Sequence, residues 1–585
     1  MEQEEKRELG RSRSRNGGEK RRAGKRSPVP VLTAFLFLFI LGFLGAAMLY
    51  VKKYMPTSKR ADLSEYFDVA GDNVQVYLND EKEKTEKDYL VVGRYKDGHV
   101  YLPYDFVYAS LNKRFYWASD VSEFLYCLPK EIVKTNADET LSDGSPAFFQ
   151  DGKQLYLNTD WIMQYTDLRC RQFVDTEQKR IFLDNSRGQY TEATLSGREA
   201  VRLKGGVKSE VLTILSKGDT VTVLESMEKW SKVRTGDGFI GFLRNSKLTD
   251  IRKETAKSDF QAPDYTHITR EDGSKIELGF HQITSPQANA GLDALTQSNS
   301  GMNVIAPTWF SLSDSEGNFV SYADADYVAM AHAKGYQIFA TVNNFDQGDV
   351  DEKKLFRDTS IREKLIEALV QAAKDSGIDG LNIDFELVPE SVGKDYVQFM
   401  RELSVRCRNE GIILSVDCYV PYDYNRYYDI EELGAYCDYV IIMCYDEHYA
   451  GSKEAGSVSS ISYVDRGIQE AIAEIPKEQV IIAVPFYTRV WITKSDGKLS
   501  SEAMGIRRAQ EWVKQKGVNL SWDEELGQNY GSVEDSDGRK EIWMEDQKSM
   551  QLKMKHIREA GVVGVAAWKL GQEPDGFWEN LRMNG

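Results

Sequence analysis

The chain has 585 residues, too many for a single hydrophobic core, and this length predicts two to four domains. A hydrophobic content of 41%, with 31 tyrosines, excludes a globally disordered protein. The formal net charge of −17 disfavours nucleic acid as a partner. Residues 1–27 strengthen that conclusion, because their ten lysines and arginines against five glutamates leave the rest of the chain more acidic still.

The first predicted elements are a basic tail over residues 1–28 and a transmembrane helix over residues 29–51. The uncharged apolar run is long enough to cross the ~30 Å hydrocarbon layer as a helix. A cleaved signal peptide is the alternative, because Gly45-Ala46-Ala47 offers small residues, although the run exceeds the usual ~7–15-residue signal core. The basic cluster before the run outweighs Lys52 and Lys53 behind it. We therefore predict a single-pass anchor in the cell membrane, a cytoplasmic N terminus and extracellular domains.

Residues 62–187 contain two similar passages, each predicted as a strand, a short helix and a strand. The first begins with VYLPYDFV at 100–107 and the second with LYLNTDWI at 155–162. This internal duplication predicts a small α+β unit. It is similar to the stalk-like domain named after the N-terminal region of copper amine oxidases, although nothing in these residues predicts copper binding. We expect a spacer that lifts the following domains off the membrane.

Residues 190–249 are rich in short predicted strands separated by turn residues, which is typical of a small all-β barrel. Strands are predicted at 211–215, 220–224 and 230–234. The KGD turn, the W-x-K-V strand and the DGFIGFL passage resemble bacterial SH3 domains, which often hold cell-wall enzymes near peptidoglycan. The polar, aperiodic residues 250–275 predict a linker.

The last segment, residues 276–585, alternates apolar runs with amphipathic stretches of helical spacing. Eight strand–helix repeats over this length predict an α/β fold, the (β/α)8 TIM barrel, in which catalytic side chains sit at the carboxyl ends of the strands. The predicted strands are Ile276–Ile283, Met302–Ala306, Gln337–Val342, Ile378–Asp384, Ile412–Val416, Tyr439–Cys444, Val480–Val484 and Val562–Ala567.

The fourth predicted strand is unusual, because polar and acidic side chains alternate with apolar ones in GLNIDFE at 380–386. An exposed edge strand explains such alternation most simply, but a barrel has no edges. Asn382, Asp384 and Glu386 share one parity and are therefore predicted to point into the barrel, stepping toward its mouth. Two carboxylates held close together leave one acid protonated and the other ionised, which is what glycoside hydrolysis needs.

The stretch DGLNIDFE at 379–386 resembles the DxxDxDxE signature of family 18 glycoside hydrolases. Further matches follow in the order expected of that family: MCYD at 443–446, PFYTRVW at 485–491 and AW at 567–568. The resemblance spans nearly all of residues 276–585. It implies a chitinase-like TIM-barrel hydrolase that cleaves glycans containing N-acetylglucosamine and needs neither a metal nor another cofactor.

The resemblance also implies roles for individual residues. Glu386 would act as the general acid and then as the base, while the substrate's own 2-acetamido group serves as the nucleophile. Asp384 would orient that group and stabilise the oxazolinium ion, and Tyr445 would donate a hydrogen bond to its carbonyl. Asp446 would support the floor of the pocket, and Trp568 would form the platform under the −1 sugar.

Other candidate substrate-binding residues carry a weaker signal. The signature's middle acid is replaced by Asn382, which donates and accepts hydrogen bonds but holds no acidic proton. The same replacement is typical of the branch similar to spore-cortex and cell-wall N-acetylglucosaminidases, so we interpret it as a branch marker. For the others, substrate binding competes with plain packing or loop structure; they are Asp379, Met443, Trp309, Asn344, Tyr487, Arg489 and Trp491.

The cysteines and histidines predict no metal centre. The six histidines are scattered, and none of the six cysteines has CxxC spacing. Cys127 and Cys170 are candidate disulfide partners within one predicted domain, whereas Cys444 is expected to be a buried, inert thiol.

Taken together, these patterns predict a membrane-anchored bacterial enzyme that hydrolyses β-1,4 bonds after N-acetylglucosamine with retention, on peptidoglycan in preference to chitin. A chitinase or an endoglycosidase on N-glycans is the enzymatic alternative. A lectin that binds N-acetylated glycans without cleaving them is the other, although non-catalytic members of the family usually lack the acid that Glu386 provides. The sequence is compatible with endo and exo cleavage and with any oligomeric state.

Overall fold

The computed structural model describes residues 29–85, 87–270, 273–297, 299 and 301–584. The described chain divides into two compact units. The first comprises residues 29–83 with 169–257, and the second comprises 84–168 with 258–584. The predicted basic tail over residues 1–28 lies outside the described residues.

The first unit begins with the helix Val29–Tyr54, which extends three residues beyond the predicted 29–51. Its stretch Thr33–Tyr54 has a mean hydropathy of 2.5 and buries none of its most apolar window against the protein. Length and composition therefore suit a membrane span, and they suit a signal sequence equally.

Seven antiparallel strands form the main sheet of the first unit and confirm the predicted SH3-like domain. The predicted strands at 211–215, 220–224 and 230–234 are all present. The last strand runs into the segment that was predicted as a linker from residue 250, because its backbone pairs with the first strand of the sheet. The strands are Gln189–Leu195, Glu199–Arg202, Val211–Leu215, Thr220–Ser226, Trp230–Thr235, Ile240–Arg244 and Leu248–Thr255.

The region predicted as one stalk-like domain, 62–187, is shared between the two units. Both predicted strand–helix passages exist, with His99–Pro103 leading into Tyr104–Phe106 and Gln154–Asn158 leading into Thr159–Tyr165. In the first unit lie Leu63–Phe67, Asn73–Leu78, Glu81–Lys82, Arg169–Phe173 and Lys179–Asp184. The other strands of the region, in the second unit, are Val92–Lys96, Tyr116–Ala118, Glu123–Cys127, Ile132–Thr135 and Phe148–Asp151.

Eight parallel strands, named β1 to β8 here, close into the predicted barrel in the second unit. Each strand pairs with the next, and β8 pairs with β1, so the barrel has no edge. All eight predicted strands are thereby confirmed. Their bounds are β1 Ile276–His281, β2 Val304–Pro307, β3 Gln337–Asn343, β4 Gly380–Asp384, β5 Ile413–Tyr419, β6 Tyr439–Met443, β7 Val480–Pro485 and β8 Gly564–Trp568.

Helices surround these strands and are ended by local signals in the sequence. The helix before β4 starts where the Asp358 side chain accepts hydrogen bonds from the Ser360 and Ile361 amides, and it ends at Gly377 with φ +70°. The helices of the barrel region are Leu292–Thr296, Ala325–Ala333, Glu352–Arg357, Thr359–Ser376, Gly393–Glu410, Ile430–Tyr436, Ile461–Glu474, Ile506–Lys516 and Gln547–Ala560.

Side chains along β4 and β5 alternate between the helices and the barrel interior. Leu381 and Ile383 belong to the core between strands and helices, whereas Ile413 belongs to the apolar cluster inside the barrel. Because parity is conserved along a strand, Ser415 and Asp417 share the inward direction of Ile413. The polar residues of β4 face inward as predicted.

Two additions to the barrel were missed by the sequence analysis. Between β2 and β3, Phe310–Leu312 and Phe319–Ser321 form a short antiparallel pair. Between β7 and β8, five antiparallel strands form a separate sheet, because alternating patterns there favour hairpins over helices. Its strands are Tyr487–Thr493, Leu499–Gly505, Leu520–Asp523, Gln528–Asp535 and Gly538–Met544.

The 84–168 segment is joined to the barrel helices by a buried charge cluster around Glu432. Arg114 Nε donates to Glu432 Oε1 at 2.6 Å, and Arg401 Nη2 lies 3.3 Å from the same oxygen. Tyr116 also donates from its hydroxyl to Asp395 at 2.9 Å. Burial alone would raise the pKa of Glu432, but the two arginines hold it below its usual range, so the carboxylate stays charged.

Replacement of Glu432 by alanine leaves two arginines facing each other without a counter-ion. We expect the free energy of unfolding to fall by about 3–5 kcal/mol, the typical cost of removing one partner from a buried pair. Urea denaturation of the full-length protein measures it. The matched control is Glu431→Ala, whose side chain is 67% exposed, and a similar loss in both variants would contradict the assignment.

Candidate active site

The carboxyl end of β4 brings the predicted acids to the mouth of the barrel. Asp384 is the last residue of the strand and is 7% exposed, whereas Glu386 follows two residues later and is half-buried. Leu387, the next residue, is 81% exposed and has a positive φ of 56°. The chain therefore turns sharply after Glu386, and the carboxyl of Glu386 lies at the boundary between protein and solvent.

Asp384 is held beside a second buried acid, Asp417 of β5. Burial raises the pKa of Asp384 well above its usual range, and the charges of Asp417 and Glu386 raise it further. Asn382 donates from Nδ2 to Asp417 Oδ2 at 2.7 Å and accepts from the Ser415 hydroxyl at 2.7 Å. These contacts fix the amide of Asn382 between the two strands.

Glu386 is positioned through its backbone and through its carboxylate. The Asn344 side chain accepts from the Glu386 amide at 3.0 Å and donates to the Glu386 carbonyl at 2.9 Å. The Tyr419 hydroxyl donates to Glu386 Oε2 at 2.6 Å. Burial raises the pKa of Glu386, the Tyr419 hydrogen bond opposes that rise, and the charges of Asp446 and Asp346 add to it.

The end of β6 supplies Tyr445 and Asp446. Burial raises the pKa of Tyr445 well above its usual range, so the hydroxyl stays protonated and is able to donate. Asp446 has a positive φ of 57° and accepts from the Tyr487 hydroxyl at 2.6 Å. Arg489 Nη2 lies 3.8 Å from Asp446 Oδ1. Tyr487 and Arg489 are thus connected to Asp446 rather than directly to Glu386.

Trp568 and Met443 are the last residues of β8 and β6 at the mouth. Trp568 is the last residue of β8, is only partly buried, and packs its ring 5.5 Å from that of Phe280. Met443 is the last residue of β6 and is 7% exposed. Both residues lie at the same end of the barrel as Asp384, since all eight strands are parallel.

Three predicted candidates are placed away from the acids. Trp309 is fully buried in the core, where its Nε1 donates to Asn289 at 2.9 Å. Trp491 is 1% exposed and donates to the Gly456 carbonyl at 2.8 Å. Asp379 precedes β4, at the amino end of the barrel, and its carboxylate accepts from the Ile338 amide at 2.8 Å.

Sequence analysis left two residues of β5 out of its set of site residues: Asp417, whose charge acts on Asp384, and Tyr419, whose hydroxyl donates to Glu386. It ended that strand at Val416, whereas β5 continues through Asp417 to Tyr419. An acid and a tyrosine just past a predicted barrel strand were the available signal, since such positions face the mouth. Asp346, after β3, was missed for the same reason; its Oδ2 accepts from Asn343 at 2.9 Å.

The arrangement joins a half-buried acid to a more deeply buried pair. Among the described residues, one group has three side chains spaced to hold a metal ion, His99, Asp143 and Asp160, and it lies in the 84–168 segment. Cys127 is a buried free thiol, so the candidate Cys127–Cys170 disulfide is not formed, and Cys444 is buried as predicted. At the mouth of the barrel, the carboxyl groups of Asp384, Asp417 and Glu386 with the tyrosine hydroxyls around them form a site suited to proton transfer.

Comparison with known proteins matches two segments of the chain. Residues 312–573 match the family described as glycosyl hydrolases family 18, and residues 200–249 match the bacterial SH3 domain. The family 18 segment contains β3 to β8 and every residue described at the mouth except Phe280. The SH3 segment lies within the seven-stranded sheet of the first unit, whose strands run from Gln189 to Thr255.

Relatives share this domain at moderate identity. The uncharacterized glycosylase YvbX of Bacillus subtilis is 27% identical over 311 residues, covering 50% of this chain and 88% of that protein. The cortical fragment-lytic enzyme of B. subtilis is 26% identical over 226 residues, covering 37% of this chain and 52% of its own length.

The crystal structure of the Bacillus cereus spore cortex-lytic enzyme SleL is similar with a TM-score of 0.49 and 22% identity, over 57% of this chain and 78% of that one. Together with the closed barrel and the acids at its mouth, the two segment matches identify what the chain contains. It carries a bacterial SH3 domain followed by a family 18 glycosyl hydrolase domain.

Proposed function

We propose that the protein hydrolyses the β-1,4 bond after N-acetylglucosamine, with retention, by using the substrate's acetamido group as the nucleophile. The observation that carries this proposal is the set of three groups at the barrel mouth. Glu386 is partly exposed and has a raised pKa, Asp384 lies two residues before it and is buried, and Tyr445 keeps its proton. Substrate-assisted hydrolysis requires an acid, an anionic stabiliser and a carbonyl donor.

Glu386 supplies the proton that the leaving oxygen needs. Its raised pKa favours the protonated carboxyl, and the Tyr419 hydroxyl donates to Oε2, which leaves Oε1 for the acidic proton. As the glycosidic bond breaks, this proton moves to the leaving oxygen. The resulting carboxylate then takes a proton from the water that opens the oxazolinium ion, so Glu386 ends the cycle protonated.

Asp384 and Tyr445 act on the acetamido group. The Asp384 carboxylate accepts the acetamido N–H and places negative charge beside the positive oxazolinium ion, while the Tyr445 hydroxyl donates to the carbonyl oxygen that attacks the anomeric carbon. Trp568, partly exposed at the end of β8, offers an apolar face to the sugar ring. In this scheme the site accepts only a sugar that carries a 2-acetamido group on the non-reducing side of the bond.

Peptidoglycan is the substrate we propose, ahead of chitin. The SH3 domain and the relatives, which include a cortical fragment-lytic enzyme of B. subtilis, support a cell-wall glycan. We further propose that the Val29–Tyr54 helix stays in place as a single-pass anchor with the catalytic domain outside the cell. The basic cluster before the apolar run, which outweighs Lys52 and Lys53 behind it, supports this topology.

The first test compares the full-length protein with Glu386→Gln on purified peptidoglycan and on chitin oligosaccharides. We expect fragments ending in reducing N-acetylglucosamine from peptidoglycan, identified by mass spectrometry, and a loss of kcat of about 10²–10⁴-fold in the variant because the general acid is gone. The matched control is Glu390→Gln, an exposed residue on the following loop, which is expected to match the parent.

The possible outcomes separate the substrates. Cleavage confined to chitin oligosaccharides would replace peptidoglycan by chitin and keep the chemistry. Binding of either glycan without cleavage by the parent protein would overturn the proposed catalysis in favour of a lectin.

The second test removes the hydroxyl that touches Glu386. Because the Tyr419 hydrogen bond lowers the pKa of Glu386, Tyr419→Phe raises that pKa, and the alkaline limb of the kcat/KM profile moves to higher pH. We also expect kcat to fall about 10-fold from the lost hydrogen bond. The control is Tyr424→Phe, which is 76% exposed, and an unmoved alkaline limb in Tyr419→Phe would refute this link.

A further inference from the structure

The fourth and fifth strands place two acids side by side inside the barrel. The parallel register pairs Asn382 with Ser415 and Ile383 with Val416, so the next neighbours along the strands are Asp384 and Asp417. Both carboxyls share the inward parity of Ile413, and both are nearly buried, at 7% and 4% exposure. Two carboxylates thus stand in one interior layer, just below the mouth.

Each of these carboxyls keeps one buried oxygen without a hydrogen-bond partner among the described residues. That atom is Oδ1 in Asp384 and Oδ1 in Asp417. The other oxygen of Asp417 accepts from Asn382 Nδ2 at 2.7 Å. Unpaired buried carboxylate oxygens are costly, and two neighbouring acids remove that cost by placing one proton between them.

We propose that Asp417 is the proton-holding partner of Asp384. The two buried carboxyls share a single proton, and when Asp384 carries the charge, Asp417 keeps the proton and donates a hydrogen bond to Asp384. The inference rests on the proposed function, because it gives the ionised Asp384 its role beside the acetamido group. Asp417 acts through Asp384 and is therefore a positioning residue.

Asn382 explains why the proton is held on β5. An amide has no acidic proton, so Asn382 cannot share one with Asp384. The Asn382 Nδ2 instead donates a hydrogen bond to Asp417 Oδ2 at 2.7 Å, and the Ser415 hydroxyl donates one to Asn382 Oδ1 at 2.7 Å. The amide thereby orients the Asp417 carboxyl, and the acid that is able to share a proton with Asp384 lies on the next strand instead of at position 382.

The groups facing the pair are predominantly acidic or neutral. Burial raises the pKa of Asp417 to about 8, against the opposing Asn382 hydrogen bond, and the charge of Glu386 adds to the rise. For Asp384, burial is reinforced by Asp417, Glu386 and Asp346. Three neutral side chains also lie near these charges: Tyr445 at the end of β6, Tyr396 of the helix Gly393–Glu410 and Cys418 of β5. Burial raises the pKa of each, so all three stay neutral near pH 7. These surroundings favour protonation of the pair, and the two titrations belong to the pair rather than to either residue.

The pH dependence of stability tests the shared proton without any substrate. Because the pKa of Asp417 is raised to about 8 in the folded protein, the folded protein binds more protons than the unfolded chain over a window of pH. That window runs from about pH 4, where a free Asp titrates, to about pH 8. Stability from this group is complete below that window and is lost as the pH rises through it. Asp417→Asn carries no titrating proton at this position and does not suffer this loss.

Thermal unfolding of the full-length protein measures the effect at several pH values from 4 to 9. We expect the Tm of Asp417→Asn minus that of the parent to increase steadily as the pH rises through the window. The control, Asp423→Asn, has a fully exposed side chain and is expected to give a constant difference. A constant difference for Asp417→Asn as well would overturn the shared proton, whatever the enzyme's substrate.

Kinetics test the positioning role separately. An asparagine at 417 still donates an N–H to Asp384, whereas Asp417→Ala removes the donor, so we expect kcat of the asparagine variant to exceed that of the alanine variant by about 10-fold or more, with KM changing less. The alkaline limb of the kcat profile should move to higher pH in Asp417→Asn, because the asparagine keeps its N–H donor at pH values where Asp417 loses its proton. Equal kcat losses in both variants, with no shift of the limb, would overturn the role of Asp417. An inactive parent protein would instead refute the proposed function and leave the stability result standing.

Discussion

Burial of like charges at the mouth of a closed barrel is the constraint on which this site depends. Asp384, Asp417 and Glu386 lie where the strands end, and burial is the largest cause of the raised pKa of each. Protonation relieves the repulsion among these acids. Asn382 donates a hydrogen bond to Asp417 and Tyr419 donates one to Glu386, so both acids are oriented by their neighbours. Glycoside hydrolysis uses a protonated acid beside a charged carboxylate, and we propose that Glu386 and Asp384 divide these two roles.

The surrounding structure holds this cluster in place over several elements. Asn344 binds both backbone groups of Glu386, and Tyr428 accepts from the Val388 amide at 3.0 Å two residues further on. Tyr428 belongs to a short helical turn that ends at Asp429, which Lys113 of the 84–168 segment contacts at 2.9 Å. That segment is thus part of the support for the loop beside Glu386, in addition to any role as a spacer.

Local pattern was sufficient to predict the barrel and its acids, and insufficient wherever distant contacts decide. All eight strands and the inward direction of Asp384 follow from periodicity, because a strand's parity is set locally. For Trp309 and Trp491 the sequence left groove binding and plain packing open, because nothing local distinguishes a buried tryptophan from an exposed one; both are buried. The role of Asp417 depends on the register between β4 and β5, and the division of residues 62–187 depends on packing against barrel helices; neither is encoded in a short stretch of sequence.

The most direct test of the acetamido mechanism uses two aryl β-glycosides that differ only at carbon 2 of the sugar in the −1 position, one with an acetamido group and one with a hydroxyl. Proton NMR follows their hydrolysis by the full-length protein and identifies the anomer that is released first. Substrate-assisted catalysis predicts cleavage of the acetamido glycoside alone, with the β anomer appearing first, because the oxazolinium ion forms from the substrate and is opened on the original face. Comparable cleavage of the hydroxyl glycoside, or initial release of the α anomer, would contradict it.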